Sequence, residues 1–121
     1  MVLFKSKLPI RIIDYVNGAV YVANETNLDA ADLYLYGYGA SNLFGAWPGA
    51  QAEAATENIN GVDYLVFKSD KMIASGKYQF IVNNNADWQT ADMAEEDAIT
   101  LNADNKAYIR AKADKTIEAV Q

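Results

Sequence analysis

One hundred and twenty-one residues make one domain, with no room for a second ordinary core. The chain has no Cys and no His, which excludes disulfides, thiolate nucleophiles, imidazole metal ligands and the Ser-His-Asp and Cys-His catalytic groupings. Ten basic against sixteen acidic residues leave a net charge of -6, which repels nucleic-acid phosphates and anionic lipid heads. What survives is carboxylate chemistry, oxygen-ligand metal binding, or recognition without chemistry. Eight Tyr against four Phe, with eleven Asn, lean toward recognition of a ligand both apolar-faced and rich in hydroxyls. The same residues also suit β-sheets and turns, so composition alone does not decide.

Lys5, Lys7 and Pro9 break the apolar N-terminus, which is therefore not a signal peptide, and the chain reads as a mature or excised domain. No apolar run is long enough to span a membrane as a helix. Residues 10–16 are β-rich and end at Asn17-Gly18, which predicts a hairpin with residues 20–22 as the returning strand. Residues 24–32 are polar and read as a loop. Residues 33–38 alternate strictly, placing Leu33 and Leu35 toward a core and Tyr34, Tyr36 and Tyr38 away from it. From Gly39 to Gly61 the pattern is irregular, and the Ala-rich stretch at 50–55 lacks a helix cap, so it reads as loop. Strands follow at 64–67 and 77–82, then residues 83–87 break the pattern. Residues 99–101 and 107–111 close the domain around an Asp104-Asn105 turn. The expectation is an all-β, antiparallel β-sandwich of immunoglobulin-like type with about seven to eight strands. Residues 112–121 have mild helical character and read as a tail or linker.

Three features stand out: the tyrosine strand, the Phe44-Gly45-Ala46-Trp47-Pro48-Gly49 segment, and the amide-dense run from Asn83 to Asp92. Trp47 sits between small residues and a Pro, so little covers its ring. Leu33-Tyr34-Leu35-Tyr36, Leu43-Phe44-Gly45-Ala46-Trp47-Pro48-Gly49, and Val82-Asn83-Asn84 running to Gln89-Thr90-Ala91-Asp92 together resemble a starch-binding carbohydrate-binding module of family 26. The likeness is closest to the form in outer-surface proteins of gut Bacteroidetes and covers roughly residues 19–111. Residues 1–18 then read as an extra strand or the remnant of a preceding domain.

The resemblance implies non-catalytic binding of starch-like α-glucans or maltooligosaccharides. Tyr36 and Trp47 would stack on sugar, Tyr34 would hydrogen-bond it, and Gln89 with Asn84 or Asn85 would meet hydroxyls. Trp88 departs from the family pattern, and two readings stand: a third platform, or a side chain packed inward. Tyr38, following Gly37, is read as an edge residue outside the site. The resemblance also implies export, with the parent a surface lipoprotein or amylase carrying other domains, and this domain at the cell surface without inserting into the membrane.

A glycosidase needs two opposed carboxylates about 5–10 Å apart across a cleft, and no acidic pair stands out. Glu95, Glu96 and Asp97 read as a solvated charge run. Asp87 and Asp92 with nearby asparagines offer oxygen ligands, but no Asp-x-Asp-x-Asp-Gly calcium loop exists, so neither metal nor cofactor is expected. Aromatic strips that bind single-stranded nucleic acid lie in basic grooves, and the charge here is acidic. The alternative to sugar binding is an interaction module whose exposed strand edge pairs with a neighbouring domain.

Overall fold

The computed structural model describes residues 13–53 and 55–120. Within them nine strands form two sheets: β1 (Tyr15–Glu25), β2 (Tyr34–Gly39), β3 (Ala50–Gln51), β4 (Thr56–Ile59), β5 (Val62–Ile73), β6 (Lys77–Asn83), β7 (Ile99–Thr100), β8 (Lys106–Lys112) and β9 (Ile117–Ala119). One sheet runs β4-β5-β1-β8-β9, the other β3-β2-β6-β7. Period-two alternation supplies the core between them. Val20, Val22, Leu65, Phe67, Ala107 and Ile109 face inward from the first sheet, and Leu33, Leu35, Tyr78, Phe80 and Val82 meet them from the second. The sandwich expected from the sequence is present. It is antiparallel except for β1 and β8, which pair in parallel. The link from β7 to β8 passes from one sheet to the other, so β8 does not arrive beside β1 through a hairpin, the connection that enforces antiparallel pairing.

The expected hairpin at Asn17-Gly18 does not form. β1 continues through both residues, and the proposed return at 20–22 is the same strand going on. Gly18 is there for space rather than for a turn. A Cβ at this position would sit 2.1 Å from the Asn105 carbonyl oxygen and 2.3 Å from the Met72 sulfur. The irregularity is taken up by pairing instead, since Val16 lies opposite Met72 and Gly18 opposite Ser69, one residue more on β5 than on β1. The domain boundary drawn at residue 19 therefore falls inside a strand. Residues 1–12, including the first part of the expected 10–16 strand, lie outside the described residues.

The C-terminal segment is no linker. Residues 112–116 turn, with the Lys112 amide donating to the Thr116 carbonyl at 3.0 Å, and β9 then pairs antiparallel with β8. Ile117 packs against the core, so edge pairing overrides the local helical preference. On the solvent face Arg110 forks to Glu25 at 2.8 and 2.9 Å and also reaches Glu118 at 2.9 Å, linking three adjacent strands. The Arg110 hydrogen bond holds the Glu25 carboxyl below its usual range. The pairs are exposed, so they contribute little stability each.

Glycine 18 gives a direct test of this strand. Gly18→Ala must displace the Asn105 backbone or Met72, and overpacking of that kind costs about 1–3 kcal/mol. Urea unfolding should show that loss. A variant as stable as the parent would mean that the close approach of β1 to Asn105 is wrong.

Candidate functional site

β2 carries the site because its two faces differ. Leu33 and Leu35 are fully buried, while Tyr34, Tyr36 and Tyr38 are partly exposed on the outer face, as the alternation predicts. The chain after β2 folds back over that face. Phe44 turns inward onto Phe67, with ring centroids 6.0 Å apart. The Gly49 amide donates to the Ala46 carbonyl at 2.8 Å and closes a turn around Trp47 and a cis Pro48. Gly49 itself is pressed on β2: a Cβ there would lie 2.0 Å from the Leu35 carbonyl oxygen, and φ is +92°. Only Gly combines that contact with that dihedral. β3 then pairs directly with Tyr34 and Leu35.

This docking sets Trp47 beside Tyr36, with centroids 5.4 Å apart and planes at 60°. Trp47 remains 46% exposed, well outside the range of a core tryptophan. Two rings meeting at an angle make a shallow corner with apolar walls. The amide of Asn83, almost fully buried, braces it: Nδ2 donates to the Pro48 carbonyl at 3.2 Å, and Oδ1 accepts from the Asn85 amide at 2.9 Å. One side chain thus ties the tryptophan loop to the amide-rich loop. Asn83 lies opposite Tyr34 on β2 and is bridged to Gln89 on its other side, which lines up Tyr34, Asn83 and Gln89 across the sheet.

The expected site residues separate into two groups. Tyr34, Tyr36, Trp47 and Gln89 share this face or its rim, and Asn85 projects at the loop tip with φ +56°. Gln89 and Asn85 are exposed, and no protein hydrogen bond among the described residues occupies their side-chain amides. Asn84 is different. Its Oδ1 accepts from the Ala86 and Trp88 amides, at 3.0 and 2.9 Å, and its Nδ2 donates to Asp87 at 2.9 Å. It builds the loop, and the bond draws the Asp87 carboxyl below its ordinary range. Trp88 follows the inward of its two readings, half-buried and packed against the core. Thr90 completes the edge of β6, since its hydroxyl accepts from the Val82 amide at 3.0 Å.

Sequence reasoning left out Tyr38, Asn83 and Gln79. Tyr38 lies 5.7 Å from Tyr36, ring to ring, and its hydroxyl accepts from Gln79 Nε2 at 3.3 Å. Its place on the tyrosine face was already visible in the period of two. The roles of Asn83 and Gln79 depend on partners distant in sequence, and no local pattern signals them. Among the described residues, no three Asp or Glu side chains gather where they would hold a metal.

Among solved structures, the chain is similar to the crystal structure of CBMbc (family CBM26) from Eubacterium rectale Amy13K in complex with maltoheptaose. Identity is 19%, the TM-score is 0.50, and the match covers 93% of this chain. It covers 53% of that chain, so this chain spans about half its length. No family model and no curated protein matches. At 19% identity the likeness is one of fold.

Two predictions follow from the geometry. Trp47→Ala or Tyr36→Ala should lower stability by less than about 1 kcal/mol, as surface changes do, whereas Leu35→Ala should cost about 2–5 kcal/mol. Thermal melts of the three variants would show it, and a Trp47→Ala melt as low as that of Leu35→Ala would make Trp47 a core residue. The second concerns pH. Burial first, then the nearby Asp92 carboxylate, raise the Tyr38 phenol above its usual range. Asp87 is shifted the other way, so its bond to Asn84 persists until the pH falls through that lowered value. With no His in the chain, ligand affinity should stay flat between about pH 5 and 8. A steep change in that window, measured by calorimetry, would reveal a titrating carboxylate in the site.

Proposed function

We propose that this domain binds starch-like α-glucans at the Tyr36–Trp47 corner and performs no chemistry on them. The observation that carries the proposal is an exposed tryptophan set at 60° to Tyr36 on the outer face of β2, 5.4 Å away. A glucose ring offers axial C–H patches to an aromatic face, while its hydroxyls point sideways. An α-1,4 chain curves, so two rings at an angle suit it better than a flat row would. Tyr34, Gln89 and Asn85 supply hydroxyl and amide groups at the rim, and Asn84 and Trp88 act behind the site rather than in it. The fold neighbour, itself complexed with maltoheptaose, supports the same ligand class.

Each ring stack is worth about 0.5–1.5 kcal/mol beyond area burial, by analogy with aromatic pairs. Two stacks plus a few wet hydrogen bonds correspond to a Kd on the order of 10–1,000 μM, or about 4–7 kcal/mol. Affinity in that range becomes useful when modules are linked on one chain. The proposal therefore includes a longer, exported parent protein of the Bacteroidetes surface type or an amylase, in which this domain holds the polysaccharide at the cell surface.

Calorimetry with maltoheptaose against cellohexaose is the deciding experiment. Binding of the first, with none of the second, is the expected result. Equal or tighter binding of the β-1,4 chain would overturn the starch assignment, and retention of neither would favour an interaction module.

A further inference from the structure

The corner between Tyr36 and Trp47 does not end at Tyr36. Among the described residues, Tyr36 has two aromatic neighbours: Trp47 at 5.4 Å and Tyr38 at 5.7 Å. No ring pair joins Tyr36 to Tyr34, although Tyr34 is equally close along the strand. The aromatic surface is therefore lopsided, extending from Trp47 across Tyr36 toward the C-terminal end of β2. The planes are tilted to one another, 60° between the first two rings and 36° between the second and third, so the three do not form a flat row.

Tyr38 is held beside Tyr36 by a chain of hydrogen bonds. Gln79 lies opposite it in register on β6 and donates Nε2 to the phenol oxygen at 3.3 Å. The same Nε2 donates to the Met93 carbonyl at 2.6 Å, so the amide cannot swing away without losing two partners. The Met93 sulfur in turn accepts from the Phe80 amide at 3.3 Å, fixing the 92–93 segment against β6. Asp92, the residue before Met93, is exposed. A partly exposed ring, pre-oriented through Gln79, loses little freedom when a ligand lies on it.

We propose that Tyr38 is a third platform, extending the glucan cradle by one sugar residue past the Tyr36–Trp47 pair and making the site discriminate by chain length. This rests on the α-glucan assignment above. Short oligosaccharides fill the corner alone, and longer ones also reach Tyr38. Tyr38 thus sets the gain in affinity between short and long chains, while Tyr36 and Trp47 set binding of any chain.

Titration of maltotriose and maltoheptaose into the parent, Tyr38→Ala, Tyr38→Leu, Tyr38→Phe and Tyr36→Ala tests this. The parent should bind maltoheptaose more tightly than maltotriose. Tyr38→Ala should weaken maltoheptaose about 3- to 10-fold, the worth of one stack, and maltotriose less than about 2-fold. Tyr38→Leu preserves bulk without a ring, so it should match Tyr38→Ala and stand in for it if that variant folds poorly. Tyr38→Phe keeps the ring and should retain most of the chain-length gain. Tyr36→Ala should weaken both sugars. Equal losses for both sugars in Tyr38→Leu, or no loss for either, would overturn the third platform while leaving α-glucan binding intact. A parent that binds neither sugar would overturn the α-glucan assignment and this inference with it.

Discussion

The candidate site depends on one buried amide. Asn83 ends β6 where two loops of unrelated sequence converge, and its side chain bonds the backbone of both. Its burial is what gives those bonds their weight, because a buried carbonyl or amide left without a partner costs about 1–3 kcal/mol. Among the described residues no buried side-chain polar atom is left unpaired. The tryptophan loop is thus fixed from two sides: from below by Gly49 against the Leu35 backbone, and laterally by Asn83 on Pro48. An exposed ring on an irregular loop would otherwise lose much freedom on meeting a ligand. Here most of that loss has already occurred on folding.

Asparagine is abundant in this chain mainly for its backbone habits. Asn27, Asn60, Asn85 and Asn105 occupy left-handed conformations at turns, and Asn24, Asn84 and Asn102 accept backbone amides through Oδ1 two residues on. This accounts for much of the amide content that in the sequence suggests ligand contact. Asn85 makes the turn with a left-handed backbone and remains exposed at the loop tip.

Tyrosine takes two forms on opposite faces of the molecule. On the five-stranded sheet, Tyr21 stacks on Tyr108 at 4.6 Å and meets Tyr64 edge-on at 6.2 Å, and Tyr21 and Tyr64 are almost wholly buried with Ala19 and Ala23. These rings cover each other. On the four-stranded sheet, Tyr36 and Tyr38 have one another and Trp47 as neighbours yet stay partly exposed. Small alanines let the first set close up. The first set draws one tyrosine from each of β1, β5 and β8, while the second lies along β2, and the outcome is set by what lies alongside.

The sequence by itself determined the sandwich class, the inward leucines and outward tyrosines of β2, and the exposure of Trp47. Each follows from interactions within a few residues: period-two alternation, and a tryptophan flanked by Ala, Pro and Gly. Asn17-Gly18 misled because a glycine needed for φ and a glycine needed for space look alike in sequence, and the atoms that demand the space, at Asn105 and Met72, come from distant strands. The segment after Lys112 misled because its local preference is weak, whereas the open edge of β8 offers a full set of backbone partners. Which amides face solvent and which brace loops was likewise a tertiary decision. Asn83, Asn84 and Asn85 are adjacent and chemically identical, and only the position of Pro48, the turn at Asp87 and the edge of β6 give each a different role.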